Sequence, residues 1–491
     1  MKKIIVVGAG ISGLSAAIYA QRSGFDVTIC EQHSIPGGMC TSWRRKGYLF
    51  EGSVHWLTGS SPKTQCYQLW KETGALDDTV KVTLPEPFCG VEWEGKTIPL
   101  YRDFTKTAEE LAVLSPADKN RLRRLVRDIK AFSAVEMPIY DIRGVKAQNP
   151  MRMNIVSLFK MLAALPVIGR MGKISCKEFA EQFAHPGIQF LLRFLPDEHS
   201  AVSLIGTLST LDSGDGGIPE GGSLAIADRM ARTFTSLGGE MLLSTKVKKV
   251  TIENGAATGV ELEDRFLAAD AIIVTQEAIA AQEQLFDPPL HEPWLDKIRR
   301  ETKPTVCTFV SAGIRSEIIG PPWFSWMLEE PIHFAGKALT SISFNIYPGG
   351  GGYAPEGCSV LTSALRGDTY DFWKKAKELG RYEEEKEKLD RQLRAAICKK
   401  FPQAEGNIEV MDIATPLTYE RYTGAHHGSW MTITGAGDKM KMYPGFVKNT
   451  GGLFFAGHRL MPPGGLPVAV FTGRNAAQMV CRHFNVMFKN S

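Results

Sequence analysis

A β-branched run, Lys3 to Val7, opens straight into Gly8-Ala9-Gly10-Ile11-Ser12-Gly13, and apolar residues then recur at helical spacing at Leu14, Ala17 and Ile18. A short all-apolar strand belongs in the middle of a parallel sheet, covered on both faces. Each glycine answers a different need. Gly8 permits a sharp strand-to-helix turn, Gly10 lets the main chain approach a pyrophosphate, and Gly13 lets helix and strand pack closely. The start of the helix then offers phosphate its free N–H groups, Ser12 among them, and the positive end of its dipole. A second strand, Val27 to Cys30, ends at Glu31, 18 residues beyond Gly13, where a carboxylate reaches ribose hydroxyls. Strand, glycine turn, helix, strand and acid within about thirty residues predict a βαβ unit that binds a dinucleotide.

At 491 residues the chain exceeds what one hydrophobic core usually organises, and the dinucleotide texture is interrupted twice. Phe88 to Tyr101 reads as a hairpin turning at Glu94-Gly95. Ser115-Pro116-Ala117-Asp118 reads as a capping box ahead of a helix with Leu122, Leu125, Val126 and Ile129 on one face. Residues 151–195 are rich in Leu, Phe, Met and Ile, broken by single Lys and Arg residues. The first texture returns at Gly216. Pro219 to Gly222 leads into a helix over 224–237, strands follow at 240–243 and 247–252, Asn254-Gly255 turns a hairpin, and Asp270 to Thr275 is another buried strand. A second irregular block, 286–414, holds a charged stretch, 378–400, whose Leu389, Leu393 and Ile397 predict a solvated surface helix. The segment 451–480 is strand, glycine-rich turn and helix.

Composition narrows the partners. A formal net charge of +4 over 491 residues lacks the concentrated basic face of a nucleic-acid binder. The nine cysteines are scattered, odd in number and without a CxxC pair, which predicts free thiols in a reducing cytoplasm and no metal site. No apolar run approaches the ~18 residues of a spanning helix. The first residues read as a buried strand and not as a targeting peptide. The expectation is a soluble cytoplasmic protein, or one peripheral on a membrane surface.

Pro36-Gly37-Gly38 follows Glu31 closely, and a plain nicotinamide-dependent fold has no need of it. A glycine pair there lets the chain pass close to an extended FAD, with Arg44 or Arg45 as candidates to meet pyrophosphate charge. These segments, with Tyr48-Leu49-Phe50-Glu51-Gly52-Ser53-Val54-His55-Trp56, resemble the amino terminus of the phytoene desaturase-type flavoproteins. That family includes carotenoid desaturases, carotenoid cis–trans isomerases and retinol saturases. The resemblance continues at Ile218 to Ser223, at Thr415 to Tyr422, at Leu453 to His458 and at Pro463 to Pro467, so it runs end to end.

The resemblance implies an α/β fold: a discontinuous Rossmann-like FAD-binding domain from 1–85, 215–285 and 415–491, and a mixed α+β substrate domain from 86–214 and 286–414. It implies FAD contacts from Gly8, Gly10, Ser12, Gly13, Glu31, Gly37, Gly38 and Arg45, with Val247 beside the adenine and Gly457 against the ribityl-phosphate chain. Gly465, Leu466 and Val468 open a helix aimed at the flavin pyrimidine edge, where its dipole stabilises negative charge near N1. Many relatives carry Asp after the equivalent of Gly457; here it is His458, which puts the local contacts in question. Val54 and His55 fall in the loop beside the isoalloxazine, and His55 is either a proton donor or a packing residue. For 151–195 the resemblance implies tunnel-wall and membrane-facing helices with Lys160, Arg170 and Lys173 toward lipid headgroups, against a plain helical core. The implied reaction desaturates, saturates or isomerises carbon–carbon bonds of a hydrophobic polyene or isoprenoid. NADH or NADPH as electron donor or acceptor has no second fingerprint of its own. A flavin amine oxidase and a non-enzymatic carrier of prenylated proteins are the rival readings.

Overall fold

Five strands from well-separated stretches of chain assemble one parallel sheet, in the order Leu453–Phe455, Ala271–Val274, Lys3–Val7, Asp26–Cys30, Glu240–Leu242. The computed structural model describes the backbone of residues 1–133, 135, 137, 139–151 and 155–491, and the side chains of all of these but 155–160. Successive side chains of a strand point to opposite faces, so a sheet covered on both sides must be apolar at every position. Ile4, Val6, Ile29 and Ile273 enter one core with the helices Ile11–Arg22, Gly222–Ser236 and Leu466–His483. Ile5, Val7, Ile272 and Val274 enter a second core with Val250, Val260, Ile279 and Trp294. The helices Ile11–Arg22 and Leu466–His483 touch so closely that a Cβ on Gly473 would lie 2.3 Å from the Ser12 carbonyl oxygen. Ser15 Oγ donates to the Val470 carbonyl at 2.7 Å across the same contact. The two ends of the chain are thereby brought together over one site.

A second sheet has seven strands: Ile408–Ala414, Cys307–Ile314, Ser359–Arg366, Lys337–Pro348, Trp323–Phe334, Cys89–Trp93 and Lys96–Leu100. Its pairings are antiparallel except for Trp323–Phe334 with Cys89–Trp93. The expected hairpin turn is present, with Glu94 and Gly95 both at positive φ. One face of this sheet packs Val310, Phe344, Leu361 and Leu365 against Leu389, Leu393 and Ile397 of the helix Tyr382–Lys400. That helix is therefore half-buried and not a purely solvated one, and Gly380, at φ +69°, separates it from the preceding helix Tyr370–Glu378. The other face of the sheet looks into the cleft. Helices Phe104–Leu114, Lys119–Phe132, Ile155–Met171 and Ala201–Asp212 close the far side around a third core.

The capping box expected at Ser115 is a different device. Ser115 Oγ donates to Asp118 Oδ2 at 2.7 Å, and Asp118 also accepts from the backbone N–H groups of Ala184 (2.8 Å) and His185 (3.1 Å). The buried acid ties a 3-10 turn to a distant segment, and the helix Lys119–Phe132 begins after it. Among the described residues, no helix is long and apolar enough to cross a membrane.

Candidate cofactor and substrate site

The three glycines of the first turn part company once space is measured. Gly8 holds φ +104°, and a Cβ on Gly13 would lie 1.9 Å from the Gly8 carbonyl oxygen, so neither position takes a side chain. Gly10 is open: the nearest atom to a Cβ there is the Gly37 carbonyl oxygen at 3.9 Å, and a side chain would stand in the cleft. The N–H of Leu14 is the first bonded within the helix, to the Gly10 carbonyl at 2.9 Å, and no side chain caps the start. The N–H groups of Ile11, Ser12 and Gly13 are thus available to an anion.

Glu31 is buried at the end of its strand, where it accepts from Ala9 N at 2.6 Å and His33 N at 2.7 Å. Burial pushes its carboxyl up, and these bonds pull the other way. The second glycine pair lies across the first turn: Gly37 N donates to the Ala9 carbonyl at 2.9 Å, and a Cβ on Gly38 would lie 3.3 Å from Gly10 Cα. Val247 is buried along the same cleft, just ahead of the strand Lys249–Glu253.

The opposite wall is the start of the last helix. Gly465, at φ +95°, precedes Leu466 with no side-chain cap, and Pro467 has no N–H, so the free donors are those of Leu466 and Val468. Nothing lies within 4 Å of a Cβ built on Gly457. His458 packs on Gly464, where a Cβ would lie 2.5 Å from its Nδ1, and that nitrogen has no hydrogen-bond partner. Burial, reinforced by Arg459, brings the imidazole down to about 4, so His458 is neutral at neutral pH.

Beside it, Arg459 Nε lies 2.6 Å from Glu277 Oε1 in a buried ion pair. Arg459 also donates to Ser429 Oγ at 2.7 Å, and Glu277 accepts from Ile279 and Ala280 N–H at 3.0 and 3.1 Å. Burial pushes the Glu277 carboxyl up, but Arg459 and these N–H groups outweigh it and hold it below the usual range. Nothing local in the sequence marks this pair, because its members lie in separate parts of the chain.

Glu51 is likewise fully buried, and burial pushes its carboxyl up against the bonds it accepts. It takes N–H groups from Ser53 (3.0 Å), Val54 (3.1 Å) and Ser223 (2.8 Å), and the Ser223 hydroxyl. A Cβ on Gly222 would lie 2.1 Å from Glu51 Oε2, which explains the glycine immediately before Ser223. The motif at 218–223 thus clamps the loop that carries Val54 and His55. His55 faces the cleft with its Nδ1 buried and unpartnered, and burial together with the Arg366 charge brings it down to about 4. Burial and the Arg366 charge thus favour the neutral imidazole, which weighs toward the packing reading of His55.

The glycine turns, Glu31, Val247, Glu277, His458 and His55 border one cavity of about 1960 Å³, roughly twice the upper end of the ~300–1,000 Å³ usual for a single small ligand. Away from the glycine turns part of its wall is aromatic and small-residue, and charged side chains such as Arg193, Lys337 and Arg366 also line it. Trp56 stacks on Trp323 with centroids 5.9 Å apart, and Phe194 meets Trp323 edge-on at 5.7 Å. Ser341, Ser343, Asn345 and Ala364 come from the seven-stranded sheet, Gly206 and Thr207 from the helix Ala201–Asp212. Two backbone cradles with free N–H groups, a buried acid at the ribose position and room beyond them fit an extended FAD with a second molecule.

Arg45 does not belong here. It lies outside the cleft wall on the hairpin Ser42–Arg45/Tyr48–Glu51, with Nε 3.0 Å from Asp412 Oδ2, and Arg44 reaches the Gly47 and Gly352 carbonyls. Both arginines point away because that hairpin packs on the edge of the second sheet. Arg170 is engaged as well, 2.6 Å from Asp128 Oδ2, whereas Lys173 is exposed; the Lys160 side chain lies outside the described residues.

A family model described as flavin containing amine oxidoreductase matches residues 11–481. A phytoene desaturase (neurosporene-forming) of Rhodobacter capsulatus is 27% identical, over 65% of this chain and 64% of its own. The carrot (Daucus carota) chloroplastic prolycopene isomerase is 25% identical, over 98% of this chain and 79% of its own. The matches to the first phytoene desaturases span only 64%, 58% and 54% of their lengths. Among solved structures, wild-type putrescine oxidase bound to putrescine superposes with a TM-score of 0.60 at 17% identity, covering 98% of this chain and 99% of that one. An oxidoreductase from Methanosarcina mazei gives 0.58 at 18%, covering 97% and 99%. At such identities these likenesses carry the fold alone.

Proposed function

Because the chain belongs to the flavin containing amine oxidoreductase family, we propose that it is an FAD-dependent oxidoreductase that changes carbon–carbon bond saturation in a long apolar polyene or isoprenoid. The observation that carries this reading is continuity: one cavity runs from the glycine cradles to a wall of Trp56, Phe194 and Trp323. The carotenoid desaturases and isomerases among the relatives support the same substrate class. Gly10, Ser12, Gly13, Glu31, Gly37 and Gly38 hold the adenosine and pyrophosphate end, with Val247 beside the adenine. Gly457, Gly465, Leu466 and Val468 hold the ribityl and flavin end. His458 replaces a carboxylate with a neutral ring and adds packing there.

When bound, the flavin supplies two-electron chemistry at carbon. The protein holds the reacting bond against the ring, and its apolar wall excludes water. His55, neutral and unpartnered, orients what lies beside it, and water supplies or takes the second proton. Desaturation, saturation and isomerisation all use this arrangement, with NADH or NADPH as the candidate electron partner.

The helix Ile155–Met171 carries Met161 on the cleft wall, while Leu162 and Leu165 are each 53% exposed on its outer side. An apolar substrate leaving a bilayer needs such a place, and peripheral membrane contact is assigned there.

The deciding experiment is anaerobic mixing of purified protein with NADH, NADPH and candidate polyenes while flavin absorbance is followed. Bleaching by a reductant and recovery on adding a polyene, or bleaching by a polyene alone, is the expected result. A colourless protein that takes up no FAD, or a flavin that responds to amines and to no polyene, overturns the proposal.

A further inference from the structure

We propose that the substrate is amphipathic, an apolar chain ending in an anionic group such as a carboxylate, and that Arg366 holds that group inside the cleft. This deepens the reading above and rests on it. Arg366 is the last residue of the strand Ser359–Arg366, opposite Cys307 in the register. Alternation along that strand turns Leu361 and Leu365 toward the helix Tyr382–Lys400, and so turns Arg366 to the other face, where it lines the cavity.

Among the described residues its guanidinium makes one hydrogen bond, Nη2 to the Phe194 carbonyl at 3.0 Å. Among the described residues, no carboxylate lies within 4.0 Å of it in an ion pair. The acids in its neighbourhood, Asp197 and Glu198, are otherwise disposed: Arg193 Nε binds Asp197 Oδ1 at 2.8 Å, and Glu198 is exposed. The basic neighbours offer no anion either. His55 is neutral, and burial also lowers His199, whose Nδ1 accepts from Thr434 N at 3.4 Å.

A guanidinium has five donors in a planar fork, so a single bond leaves it capacity to bind a group in the cavity it lines. Arg366 is exposed to the open cleft beside Phe194 and Cys307, and a ligand that strips its water there leaves the charge costly without a counter-charge. A purely hydrocarbon chain would leave that cost unrelieved, whereas a carboxylate meets the fork with two parallel charge-assisted bonds. The opposite end of such a molecule then lies along the apolar wall.

The test uses the full-length, flavin-loaded protein and two fluorescent probes, cis-parinaric acid and its methyl ester, which share a conjugated tetraene chain and differ in charge. The parent is expected to bind the acid about 10–100-fold more tightly than the ester. Arg366→Gln is expected to remove that preference with ester binding and the flavin spectrum unchanged, and Arg366→Lys to keep part of it. Equal binding of acid and ester by the parent overturns the assignment while leaving a polyene cleft standing. Equal weakening of both probes, or loss of flavin, in Arg366→Gln also overturns it. A parent that binds neither probe removes the polyene reading together with this one.

Discussion

The two sheets meet the cleft in different ways. The parallel sheet presents its ends: its strands are buried on both faces, and what reaches the cavity is the turn after Val7, the acid after Cys30 and the residues after Phe455. The seven-stranded sheet presents a face, with Phe309, Ser341, Asn345 and Arg366 standing on it. In the first, recognition falls on backbone N–H groups held by glycine geometry, and in the second on side chains at alternate positions. Backbone recognition depends on glycine geometry and a helix terminus and leaves side-chain identity free. A side-chain wall can be rewritten for a new substrate without disturbing a single strand pairing.

The sharpest way to break this contrast lies inside the first turn. Gly13→Ala drives a methyl into the Gly8 carbonyl and is expected to leave no folded protein, a loss beyond about 4 kcal/mol. Gly10→Val is expected to fold, since only the Gly37 carbonyl comes near, yet to retain under about a hundredth of the parent's FAD affinity. Circular dichroism with flavin titration separates the two, and a Gly10→Val protein carrying a full complement of FAD would put the phosphates elsewhere.

The next effect tests whether side chains matter near the flavin end. Arg459→Met strands Glu277 in a buried site and is expected to cost about 3–5 kcal/mol by urea denaturation. A cost below about 1 kcal/mol would mean that solvent reaches the pair.

His55 and His458 give a pH signature. Both sit at about 4 in the fold against an ordinary value near 6.5, so the unfolded chain binds protons first as pH falls. Stability from these groups is fully present above about pH 6.5 and is lost as pH drops through 6.5 toward 4, on the order of 1–3 kcal/mol per histidine. Replacing both by Asn should flatten the urea-midpoint profile of the apoprotein over that window, and an unchanged slope would place both rings in contact with water.

A smaller change is expected at the surface. Leu162→Glu should weaken partitioning onto liposomes by roughly ten-fold with the flavin spectrum intact. Partitioning that does not respond, or is absent in the parent, removes the membrane contact from the helix Ile155–Met171. The smallest effect concerns His55→Ala: turnover per bound flavin should stay within about ten-fold of the parent. A general acid would cost about 10²–10⁴-fold, so a drop of that size in rapid-kinetic measurement would restore His55 as proton donor.

The dinucleotide end was legible because its determinants are local. Glycine spacing, a β-branched strand and an acid at fixed distance act through backbone sterics and a helix terminus, which need no distant partner. Gly8, Gly13 and Glu31 therefore stand in the fold as their spacing predicts. Tertiary structure decided whatever depends on a neighbour remote in sequence. Arg45 lies a few residues past Gly38, yet Asp412 holds it away from the phosphate cradle. Glu51 meets Ser223, and Glu277 meets Arg459, across stretches of chain that no periodicity links. The proton affinity of His55 also belongs to the fold: its residue type allows a charge near neutral pH, and burial beside Arg366 lowers its hold on the proton. Electrostatic free energy depends on what surrounds a group in space, and that enclosure exists only once both sheets have closed on the cleft.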